Sequence, residues 1–194
     1  MNIIYLHGFK SSALSHKGQQ LNDYCRNFTK HTVYLPDLNR PPLQVMAQLS
    51  ALIESLEDVA LVGSSLGGFY ATQMVARYAR PAVLINPAMR PWLLFHRLFS
   101  QEQFPYQVTA DWQLDLAQLQ DLEQMAVPQL AQAAKIMLLL QQGDEILDYR
   151  EAQGYYSQPQ HQSLIIADAQ GDHAMQDFAQ KIPLLLEFLT YSQK

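Results

Sequence analysis

A chain of 194 residues, 48% of them apolar and 16% charged, is long enough for one large core and too short to divide comfortably into two, so a single domain over 1–194 is expected. Its net charge of −5 and pI near 5.6, with no basic run, argue against a nucleic-acid or anionic-membrane surface. The opening MNIIYLHGF has no basic segment followed by a cleavable apolar stretch, and apolar runs such as 136–140 and 184–186 are too short to span a bilayer; a soluble, cytoplasmic protein is expected.

Two periodicities alternate along the chain. The apolar run 3–6 reads as a buried strand, and 19–28 as a helical stretch holding the lone Cys25 in a packing role. After a strand at 32–34, the segment 42–56 sets Leu43, Met46, Leu49, Ile53 and Leu56 at intervals of three and four, with Pro42 suited to a first helical position. Strands follow at 59–62, 82–85, 135–140 and 163–166, with helices at 69–78, 149–156 and 175–189; Pro183 predicts a kink or break in the last. Runs apolar on both faces suit a parallel sheet covered on both sides. Strand alternating with helix predicts right-handed crossovers and a doubly wound, mostly parallel six-stranded α/β sheet.

The stretch 89–127 breaks this rhythm, being too long for one crossover helix. It carries Trp92, Phe95, Phe99, Phe104, Tyr106 and Trp112. It reads either as an enlarged crossover whose aromatics pack on the sheet, or as a small helical cap over a ligand site, since long excursions in compact domains are often functional.

The strongest chemical signal is VALVGSSLGGF at 59–69, in which a strand runs through G-x-S-x-G into a helix. Such a turn presents the serine, here Ser65, above the sheet edge. Glycines two before and two after it are needed where strand and helix backbones approach closely. The competing reading is an ordinary Gly/Ser turn holding a phosphate at a helix N-terminus, which the lack of a Walker or G-x-G-x-x-G pattern weakens. A nucleophilic serine needs a base, and the base needs a partner that fixes its tautomer. In an elbow-bearing sheet these follow in the order serine, acid, histidine. The loop QQGDEILD after the fifth strand offers Asp144, with Glu145 and Asp148 as competitors. The loop DAQGDH after the sixth offers His173. Catalytic groups in open α/β sheets gather beyond the carboxyl ends of the strands, where all of these fall. Asp172 reads as a turn former or helix cap, because neighbouring side chains diverge. His16, His31, His96 and His161 lack a strand-end position. His7 has one, but it precedes the nucleophile and reads as structural. Beside it, the N–H of Phe9 joins that of Leu66 as a candidate pair of oxyanion donors.

Taken together, LHGF, GSSLGG, NPA after the fourth strand, GDEILDY and GDH resemble the YqiA/YcfP-type small bacterial esterases of the α/β-hydrolase superfamily, from Ile3 to the final helix. The resemblance implies hydrolysis of acyl esters or acyl thioesters without metal or organic cofactor, and it supports Ser65, Asp144 and His173 as the triad. Trp92, Phe95 and Phe99, with Leu93, Leu94 and Leu98, read either as an apolar acyl pocket or as core. The alternatives in function are amide or C–C bond cleavage on the same triad and a non-catalytic binding module on a hydrolase scaffold.

Overall fold

The structure is a computed structural model that describes residues 1–160 and 162–193; His161 lies outside the described residues. Six strands form one wholly parallel sheet: β1 (Asn2–Leu6), β2 (Thr32–Tyr34), β3 (Val59–Ser64), β4 (Ala82–Ile85), β7 (Ile136–Gln141) and β8 (Leu164–Asp168). Their order is β2-β1-β3-β4-β7-β8. The chain starts near the middle and winds first to one edge, then to the other, which makes the sheet doubly wound. Two further strands, β5 (Tyr106–Thr109) and β6 (Trp112–Leu114), form a separate hairpin.

The central strands are apolar on both faces because both are covered. Leu61, Leu84, Leu138 and Leu140 point into one core layer, shared with Val45 and Leu49 of α2 (Pro42–Glu54), Phe69 and Met74 of α3 (Leu66–Tyr78), and Tyr156 of α6 (Tyr149–Tyr156). Val62, Val83, Met137 and Leu139 point into the other, against Leu21 and Cys25 of α1 (His16–Phe28) and Phe178, Ile182 and Leu185 of α7 (Phe178–Ser192). Each side chain buried this completely contributes about 1.5–3 kcal/mol. Cys25 is 1% exposed and packs as expected. Burial pushes its thiol pKa up, against a smaller opposing effect of Thr29.

Of the kink or break expected at Pro183, the break does not occur: helix α7 runs on through the proline. Ile182, Leu185, Leu186 and Leu189 pin both sides of the proline to the core, and that tertiary burial outweighs the lost backbone hydrogen bond. The insertion after β4 is not purely helical. It comprises α4 (Pro91–Leu98), the antiparallel β5–β6 hairpin and α5 (Leu116–Met125). Trp112 and Leu114 are buried while Gln113 between them is exposed, an alternation too short to recognise in a sequence. Asp115 then caps α5, accepting the Gln118 N–H at 2.8 Å.

Candidate active site

Because the six sheet strands are parallel, their carboxyl ends share one edge, and the loops after β1, β3, β4, β7 and β8 meet there. Between β3 and α3 the chain reverses at Ser65, whose φ of 55° and ψ of −119° lie outside the wells open to an L-residue. Holding such a conformation costs on the order of 1–3 kcal/mol. The surrounding bonds enforce it: the Ser65 N–H donates to the Ile85 carbonyl at 3.0 Å, and the Ser65 carbonyl accepts the Ala88 N–H at 3.0 Å. The flanking glycines follow from crowding. A Cβ on Gly67 would stand 2.0 Å from the Leu6 carbonyl oxygen, and one on Gly63 2.4 Å from that of Gly67.

His173 and Asp144 are brought together from two loops. The His173 Nδ1 lies 2.7 Å from Asp144 Oδ2, and the Asp144 side chain is 2% exposed. The other carboxylate oxygen, Oδ1, accepts the N–H groups of Ile146 and Leu147, both at 2.8 Å. The carboxylate is thus fixed at both ends and presents one oxygen to the imidazole. The two competitors are occupied elsewhere. Asp148 caps α6 by accepting the Arg150 N–H at 3.0 Å, and Glu145 Oε2 accepts the backbone N–H of His173 at 3.0 Å. Asp172 makes a turn rather than a cap: its carbonyl accepts the Met175 N–H, and its side chain accepts from Gln176.

His7, 3% exposed, is bound into the loop after β1. The Leu38 N–H donates to its Nε2 at 2.9 Å, so the proton resides on Nδ1 and is donated to the Gly8 carbonyl at 2.9 Å. That tautomer ties the β1 loop to the segment after β2 and sets the backbone of Phe9 beside the elbow. A Cβ on Gly8 would lie 3.1 Å from the Ser65 Cβ, which measures how close the two loops run. Leu66 opens α3, where a backbone N–H has no acceptor within the helix.

Several supports were not read from the sequence. Asn86, 3% exposed and at a φ of 40°, accepts the Gln141 N–H at 2.8 Å and donates to the carbonyls of Asp172 and His173 at 3.2 and 3.3 Å. One amide therefore joins the ends of β4 and β7 to the histidine loop. Its only trace in the sequence was the NPA motif. Below it, the Gln141 side chain donates to Asp168 and Asp177, and Lys181 pairs with both carboxylates. Burial lowers the Lys181 pKa, but its bonds to the two acids outweigh this and leave it raised.

Ser65 and His173 line one cleft of about 410 Å³, together with Gly8, Phe9, Lys17 and Gln176. Tyr5 forms part of its floor; burial pushes its hydroxyl pKa up to about 12, with Ser15 and Ser64 pulling the other way. Trp92, Phe95 and Phe99 line no part of this cleft. Phe95 and Phe99, 1% and 9% exposed, pack against Phe9 with ring centroids 4.6 and 6.3 Å away. They are core that braces the Phe9 loop, because the cap folds down on its own aromatics. Trp92 reaches a second, larger cavity of about 500 Å³ between α3, the β4–α4 loop and α6, which shares no lining residue with the cleft. Among the described residues, no three metal-ligating side chains converge, and no helix is long and apolar enough to cross a membrane.

Similar architecture recurs in known proteins. Mouse α/β-hydrolase domain-containing protein 10 superposes with a TM-score of 0.76 at 15% identity, covering 100% of this chain and 90% of the other. Est1E from Butyrivibrio proteoclasticus gives 0.73 at 14% identity, covering 98% and 87%. An esterase from Pyrococcus furiosus gives 0.64 at 14%, covering 100% and 82%. These likenesses establish the α/β-hydrolase fold. The model of the uncharacterised protein family UPF0227 matches residues 2–190, nearly the whole chain, and the protein is therefore a member of that family.

Proposed function

We propose that this protein is a serine esterase that cleaves acyl esters or acyl thioesters through an acyl-enzyme intermediate. The observation that carries the reading is the 2.7 Å contact from His173 Nδ1 to a buried, doubly anchored Asp144 carboxylate, with His173 on the same cleft as a strained Ser65. In this mechanism Ser65 Oγ attacks the acyl carbonyl while His173 Nε2 takes its proton. Asp144 holds the imidazole in the tautomer that leaves Nε2 free and stabilises the imidazolium. The N–H groups of Phe9 and Leu66 receive the oxyanion, each worth about 3 kcal/mol in a water-poor site. The bond from the carbonyl carbon to the leaving oxygen or sulfur then breaks, and His173 gives its proton to the departing atom. Water, activated by the same histidine, attacks the acyl-enzyme and releases the acid and free Ser65.

The fold of the esterases named above supports this reading, as does the family likeness of the motifs. A non-catalytic binding module would have no use for the backbone strain stored at Ser65. The test is mass spectrometry after treatment with a fluorophosphonate, with Ser65→Ala as control. A single adduct on Ser65, and near-complete loss of p-nitrophenyl acetate hydrolysis in a folded Ser65→Ala variant, are expected. A folded wild-type protein that takes no adduct, or a Ser65→Ala variant that keeps more than about a tenth of the activity, overturns the proposal.

A further inference from the structure

The cleft that holds Ser65 and His173 also holds a cation. Lys17, the second residue of α1, lines it together with His16, in a chain whose net charge is −5. Its Nζ donates to the Ala174 carbonyl at 2.7 Å, one residue beyond His173. An ammonium group has three donors and this contact uses one. Among the described residues Lys17 makes no ion pair within 4.0 Å. Asp172 and Asp144 act on it only from further away, and the loss of water around it outweighs their support, so its pKa lies below that of an ordinary lysine. No side chain caps the first turn of α1, and the positive end of that helix opens on the same cleft.

The position of this charge relative to the reaction is informative. In acyl transfer the departing alcohol takes its proton from the histidine, so it must sit against the histidine's side of the nucleophile. In this protein that wall is His173, Ala174 and Gln176, and Lys17 is bonded to its middle. The larger apolar cavity lies elsewhere, behind α3. We propose that Lys17 binds an anionic group, a carboxylate or a phosphate, carried by the leaving alcohol or thiol, so that the enzyme selects substrates charged on the leaving side of the scissile bond. This inference rests on the esterase reading above. A bound anion would use the two free N–H donors of Lys17 and restore the electrostatic partner that the half-buried ammonium lacks.

The test is a pair of esters that differ in charge alone: 4-acetoxybenzoate and its methyl ester, with the 3-acetoxy isomers alongside to vary the reach of the carboxylate. Each kcat/KM is divided by the ester's own rate of hydrolysis in buffer, which removes the electronic difference between the rings. For the better-fitting isomer, wild type is expected to favour the anion by about tenfold, the size of one charge-assisted hydrogen-bonded pair. Lys17→Met is expected to bring that ratio to about one, and Lys17→Arg to retain most of it. A wild-type ratio near one for both isomers, or a preference that survives in a folded Lys17→Met variant, overturns the inference. If Lys17→Met does not fold, inhibition of wild type by 4-hydroxybenzoate against methyl 4-hydroxybenzoate decides: equal inhibition refutes it, and stronger inhibition by the anion upholds it. Failure of the esterase reading itself looks different, because then neither ester is hydrolysed faster than by Ser65→Ala.

Discussion

Replacing Asp144 by asparagine isolates the one property of the carboxylate on which the proposed chemistry depends. The Ile146 and Leu147 N–H groups both donate to Oδ1 at 2.8 Å. In the variant they select the amide oxygen for that place and turn the NH₂ toward His173. The imidazole must then accept at Nδ1, which moves its proton to Nε2, the nitrogen that would take the proton of Ser65. The side chain keeps its size in a site only 2% exposed, so the fold should survive with little change in melting temperature. A wrong tautomer of this kind costs roughly 10³–10⁴ in kcat, or about 4–5.4 kcal/mol of barrier. The assay is hydrolysis of p-nitrophenyl acetate, with the rate of fluorophosphonate labelling at Ser65 as a second readout and thermal melting as the fold control. Asp148→Ala is the matched comparison: it removes the cap of α6, about 1 kcal/mol of stability, and leaves activity in place. An Asp144→Asn enzyme with more than a tenth of wild-type activity, or a larger loss of activity in Asp148→Ala, refutes the assignment.

Four further outcomes test the packing and electrostatics of the fold around the site. Gly67→Ala, which drives a methyl to 2.0 Å from the Leu6 carbonyl oxygen, should lower stability by at least about 1–3 kcal/mol in urea unfolding. Gly154→Ala, with nothing within 4 Å of the new Cβ inside α6, should gain about 0.5–1 kcal/mol; the reverse order would contradict the packing. Phe95→Ala should cost roughly 3–5 kcal/mol, because the ring is core against Phe9; a loss under about 1 kcal/mol by the same method would return Phe95 to a ligand-lining role. Burial lowers the Lys17 pKa from its ordinary 10.5, so the folded chain holds that proton less tightly than the unfolded chain. Its charge therefore reduces stability below the folded pKa, and this penalty fades as pH rises toward 10.5. The stability of wild type minus that of Lys17→Met should rise as pH climbs through the alkaline range toward 10.5 in paired melts, where the groups common to both proteins cancel; a flat or falling difference contradicts the sign.

The parallel sheet was legible in the sequence because strands buried on both faces read as unbroken apolar runs, and helices between them keep a different period. Strands β2 and β4 coincide with those runs, and the others differ by a residue or two at their ends, as β3 does in running on from Val62 to Ser64. The elbow was legible for a local reason: glycines at 63 and 67 answer a backbone contact formed within the motif and its neighbouring strand. The course of the chain also put Asp144 and His173 at adjacent strand ends, β7 and β8 being paired in register up to Gln141 and Asp168. The sequence favoured Asp144 as the acid facing the imidazole but left Glu145 and Asp148 as competitors, since all three lie in one acidic loop. The turn that fixes Asp144 Oδ1 to two backbone N–H groups separates them. Asn86 escaped notice because its three partners lie 55 to 87 residues away. For the cap aromatics, composition states that rings exist but not what they touch; their packing on Phe9 follows from a hairpin and two short helices closing together. Lys17 belongs to the same class: a surface-like lysine on a helix becomes a cation in the cleft of Ser65 and His173 only when α1 docks beside the histidine loop, a contact between residues 157 positions apart.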